Sequence, residues 1–75
     1  MKDLIESIRK RFGDPAAYVA EVYVTCKELV RHTNQPILTK ALVMAAVRYT
    51  QITPVIFATI VRESDELDNR ETTIH

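Results

Sequence analysis

Apolar positions along this chain fall into four stretches, broken at Gly13, around Asn34–Pro36 and around Gln51–Pro54. In the first, Met1, Leu4, Ile5, Ile8 and Phe12 share a stripe about 100° wide at helical spacing, and charged residues fill the rest. That pattern predicts a short amphipathic helix over 2–12, docked by one face. Gly13 then stands where a left-handed cap is wanted.

The second stretch, "DPAAYVAEVYVTCKELVRHTN", predicts a helix over 15–33. Asp14 is placed as an N-cap and Pro15 as a first-turn residue whose missing N–H costs nothing. Val19, Val22, Tyr23, Cys26, Leu29 and Val30 share one face, while Glu21, Lys27, Glu28 and Arg31 point away with Val24 among them. Pro36 pushes its predecessor out of the helical region, so the helix is expected to stop near Asn34.

The third stretch, helical over 37–50, is apolar nearly all round. Leu38, Ala41, Leu42, Ala45 and Tyr49 line one side, and Val43, Met44 and Val47 line the other. A helix apolar on both sides is buried on both sides, either as the central helix or under another chain. The surplus face is assigned to Val43, Met44 and Val47.

The fourth, "TPVIFATIVRESDEL", is a helix over 54–67 capped by Thr53 and Pro54, with Ile56, Phe57, Ile60, Val61 and Leu67 on one face. A strand is the alternative for so many β-branched residues, but no second β-rich run exists to pair with it. The remaining "DNRETTIH" lacks periodicity and reads as a flexible polar tail over 68–75. The expected fold is therefore all-α: one compact four-helix domain over 1–67, a short N-terminal amphipathic helix plus three core helices. Its corner between the third and fourth helices has the length of a helix-turn-helix connection.

Composition narrows the function more than it names it. Apolar residues make up 47% of the 75, which is globular, and no apolar run is long enough to span a membrane. The charged N-terminal stretch lacks a signal peptide's apolar core, and the lone Cys26 has no disulfide partner. A cytoplasmic setting is the expectation.

No glycine-rich phosphate loop, no Cys/His set at metal spacing and no Ser-His-acid set occurs, so neither catalysis, cofactor nor metal is expected. Cys26 reads as a small buried apolar residue.

Two binding readings remain. Ten Lys and Arg balance ten Asp and Glu, but the chain is basic at Lys2, Arg9, Lys10 and Arg11 and acidic at Glu63, Asp65, Glu66, Asp68 and Glu71. That polarity, with the doubly apolar third helix, favours a protein-interaction module, an adaptor, inhibitor or regulator that binds another protein or itself as a homodimer. Its interface would be Val43, Met44, Val47 and Val55, with Tyr18 as an edge anchor. The alternative is a helix-turn-helix DNA-binding regulator with 54–67 as recognition helix, contacting DNA through Lys40, Thr53, Thr59 and Arg62. Zero net charge and the acidic run after Arg62 weigh against it.

Overall fold

A computed structural model describes residues 2–33 and 36–73, all of them helical apart from two short connections. The helices are α1 (Lys2–Phe12), α2 (Asp14–Thr33), α3 (Pro36–Thr50) and α4 (Pro54–Thr73). Met1, the expected helix stop at Asn34, and the last two residues of the expected tail lie outside the described residues. Among the described residues no helix is long and apolar enough to cross a membrane.

Gly13 alone makes the first corner. Its φ of 96° is a left-handed conformation, its N–H donates to the Arg9 carbonyl (2.9 Å), and its own carbonyl accepts from Ala17 (3.1 Å). One residue therefore ends α1 and starts α2. Asp14 is consequently already inside the first turn rather than capping it, and its carboxylate takes the Arg9 Nε–H instead (3.1 Å).

The second corner follows the expected device. Thr53 Oγ1 accepts the Ile56 N–H (3.2 Å) and the Thr53 carbonyl accepts from Phe57 (3.0 Å), so Pro54 sits in the first turn where its missing N–H leaves nothing unsatisfied. Before it, Gln51 ends α3 at φ 56°, a conformation that normally selects glycine.

The central element is α2, not α3. Helices α1, α3 and α4 all pack against α2, and α1 and α4 also pack on each other, while α3 makes little direct approach to α4. Small residues explain this: Ala16, Ala17 and Ala20 are fully buried on α2 and let neighbouring helices come close. The core gathers Leu4 and Ile8 of α1, Val19 and Val24 of α2, Ala46 of α3 and Ile60 of α4, with Ile5, Phe12, Val47, Ile56, Phe57 and Leu67 packed around it. Val24, expected to face solvent, belongs to that core because α2 is covered on three sides.

Helix α4 continues through Thr73, where the apolar pattern alone ended it at Leu67. What carries it onward is electrostatic: Asp65 and Asp68 lie against Lys27 of α2, and Asp68 approaches Arg31 at 3.8 Å. Those partners are supplied by another helix, so no local pattern reveals them.

Candidate functional site

Because α2 is central, the α2–α3 hairpin carries an apolar groove on each flank of α3. The first, of about 510 Å³, is floored by Val43 and bordered by Val30, Lys40, Met44 and Phe57, with Tyr23 and Lys27 at one side. The second, of about 630 Å³, lies on the opposite flank of α3 and is lined by Tyr18, Val22, Leu29, Leu42, Ala45 and Tyr49. Cys26 lines both. Burial pushes its thiol pKa up, which keeps it protonated at neutral pH.

The two grooves differ in how they are built. Beside the first stands a polar lock in which Lys27 Nζ donates to Ser64 Oγ (3.0 Å) and Asp65 Oδ1 (2.9 Å) and pairs with Asp68. The Tyr23 hydroxyl donates to the same Asp65 oxygen (3.2 Å), and its ring meets Phe57 edge-on at 6.4 Å. Desolvation alone would lower the Lys27 pKa, but its hydrogen bonds to Asp68 and Asp65 outweigh it and raise it. The Tyr23 pKa is raised too, first by burial and then by the Asp65 charge. These groups hold α2 to α4, and the lock's chemistry is spent on structure.

The second groove has no such occupation. Five large apolar side chains at or beside it, Tyr18, Leu29, Leu38, Leu42 and Tyr49, stand exposed, Leu38 at 55% and Tyr49 at 85%. Leu38, Leu42, Ala45 and Tyr49 recur at helical spacing along α3, so they form one stripe rather than scattered exposures. Among the described residues, Glu21 is the one charged residue lining this groove.

This arrangement reassigns the faces of α3. Val43, 7% exposed, lies at the floor of the first groove, Val47 is partly buried against the core, and Met44 is exposed beside that groove. The face expected to point inward, Leu38, Ala41, Leu42, Ala45 and Tyr49, is the outer one. Periodicity shows which residues share a face. Which face goes in is settled by tertiary packing: Val43 and Ala46 are buried, while Leu38, Leu42 and Tyr49 stand exposed. Of the other expected interface residues, Tyr18 does stand on the exposed stripe's border, whereas Val55 is exposed on α4. The five residues do not form one patch; the signal that marks the patch is the i, i+4, i+7, i+11 series from Leu38.

The residues expected to meet DNA are dispersed in role. Lys40 borders the first groove on α3. On α4, the Thr53 hydroxyl caps the helix, the Thr59 hydroxyl donates to the Val55 carbonyl (2.9 Å), and Arg62 lies 3.9 Å from Glu63. Among the described residues no group of three or more His, Cys, Asp or Glu is placed to hold a metal ion.

The acidic stretch of α4 is met by the chain's own cations. Besides the Lys27 lock, Arg11 grips Glu63 with both arms of its guanidinium, at 2.9 and 2.5 Å. One ion pair, Arg11–Glu63, thus ties the basic start of the chain to its acidic stretch, and Lys27 of α2 meets Asp65 and Asp68. The chain matches no protein-family model, no characterised protein and no solved structure.

Proposed function

We propose that this protein is a small non-enzymatic interaction module that self-associates through the outer α2–α3 face. One observation carries the reading: Leu38, Leu42 and Tyr49 form an exposed apolar stripe on α3, bordered by Tyr18 and Leu29 of α2. Exposed apolar residues are ordinary when scattered, but a continuous stripe along two helices loses free energy to water unless another surface covers it. An adaptor or regulator that works by docking has that requirement.

The test is sedimentation equilibrium of the wild-type chain and of Leu42→Glu, with circular dichroism to follow helicity. Wild-type protein should associate in the micromolar range, and Leu42→Glu should sediment as a monomer with unchanged helix content. A wild-type chain that remains monomeric up to millimolar concentration ends this reading.

A further inference from the structure

We infer that the occupant of the outer face is a second copy of the chain, placed so that α2 of each protomer lies over α3 of its partner, with Glu21 meeting the partner's Arg48. This rests on the self-association reading above and adds an arrangement to it.

The first support is area. From their fractional exposures, Tyr18, Leu29, Leu38, Leu42 and Tyr49 offer on the order of 600 Å² of side-chain surface, and the smaller Thr25, Ala41 and Ala45 extend it toward the ~800 Å² per partner of a standard interface. The second is relief. Large side chains stand at Leu38, Leu42 and Tyr49 with Ala41 and Ala45 between them, so ridges and hollows alternate along α3 and can interleave with those of another copy.

Charge selects the arrangement. Glu21 lines the groove from its α2 bank, and Leu42, Ala45, Ala46 and Tyr49 line it from α3. Arg48, exposed, lies between Val47 and Tyr49 on α3, one residue from the groove-lining Tyr49. Among the described residues neither Glu21 nor Arg48 has an ion pair within the chain. A two-fold axis parallel to the helices puts α2 over the partner's α3 at matching height, so the acidic bank meets the basic one and Glu21 faces Arg48 twice per dimer. An axis perpendicular to the helices puts α2 on α2 and α3 on α3. With the axis passing between positions 21 and 28 it would set Glu21 against the partner's Glu28, and like charges together oppose association.

The experiment is a charge-reversal cycle read by sedimentation equilibrium at about 50 mM salt, where rim charges are weakly screened. Glu21→Arg and Arg48→Glu should each weaken the dimer roughly tenfold, since each places two like-charge contacts across the dyad. The double variant should return the affinity to within about threefold of wild type, and the differences should shrink at about 0.5 M salt. If the wild type dimerises and Leu42→Glu disperses it, but the reversals have no effect or add without rescue, this arrangement is overturned while self-association stands. If the wild type does not associate at all, the functional reading falls and this inference falls with it.

Discussion

Arg11, in the last turn of α1, and Glu63, in the middle of α4, are joined by a two-pronged ion pair across 52 residues of sequence. Both arms of the guanidinium meet both carboxylate oxygens, the geometry that makes arginine the better partner for a carboxylate. The contact fixes α4 against α1 on one side, as Lys27 fixes it against α2 on the other. Between these polar ties, Ile60 and Ser64 are fully buried.

The pair makes stability depend on acid. The hydrogen bonds and charge of Arg11 hold the Glu63 carboxyl below its ordinary pKa. A carboxylate depressed in the folded state stabilises it above the unfolded pKa, and that contribution fades as pH falls through the folded value. Arg11 is 41% exposed on its side chain, so solvent screening limits the pair to about 0.5–1 kcal/mol. Urea unfolding of Glu63→Gln should show that deficit at pH 7, and the two proteins should converge near pH 3. A deficit unchanged by acid would mean the glutamate contributes by packing alone.

Lys27 tests why α4 is long. Truncation by Lys27→Ala leaves Ser64, Asp65 and Asp68 without a half-buried cation. Losing hydrogen bonds to charged groups in such a setting costs about 2 kcal/mol. The loss should concentrate at the end of the helix: amide hydrogen exchange beyond Leu67 should quicken more than exchange around Ile60. Uniform quickening would show that the lock does not set the helix end. The raised Lys27 pKa adds a second signature, because stability from a raised lysine is present below its unfolded pKa and is lost as pH climbs through the folded one.

Gln51 occupies a left-handed position at the end of α3, with its N–H donating to the Val47 carbonyl at 2.9 Å. A side chain there crowds its own backbone, by about 1 kcal/mol relative to glycine. Gln51→Gly is therefore expected to stabilise the protein by about 0.5–1 kcal/mol in chemical denaturation, despite glycine's larger unfolded-state entropy. No gain would place the strain of this corner elsewhere, in Ile52 or Thr53.

Much of the architecture was legible in the residues. The Leu4, Ile5, Ile8 and Phe12 stripe, the Gly13 break and the Thr53–Pro54 start needed only local spacing and backbone chemistry. What failed was tertiary. Ala16, Ala17 and Ala20 carry little hydrophobic weight in a periodicity count, yet their small size makes α2 the helix all others approach. Asp68 looked like the start of a polar tail because its partners, Lys27 and Arg31, lie on α2. On α3 both faces are apolar, so the pattern is degenerate: Val43 and Val47 of the expected surplus face turn toward the core, while Leu38, Leu42 and Tyr49 stand exposed.

That reversal yields the sharpest contrast. Val47 packs against the core, so Val47→Glu forces a carboxylate toward Ala46 and its apolar neighbours. An unpaired charge in such a position costs about 3 kcal/mol or more, a large share of the ~5 kcal/mol available to a domain this small. Leu42 stands half-exposed four residues from Leu38 on the other flank, where a charge should change monomer stability by only about 0.5 kcal/mol. Measured in urea at concentrations low enough to hold the chain monomeric, Val47→Glu should lose most of its transition and Leu42→Glu should nearly overlay the wild type. The opposite ranking would mean that α3 is turned by about half a rotation about its axis, with Val43 and Val47 outward and Leu38, Leu42 and Tyr49 against α2. The docking face would then move with it.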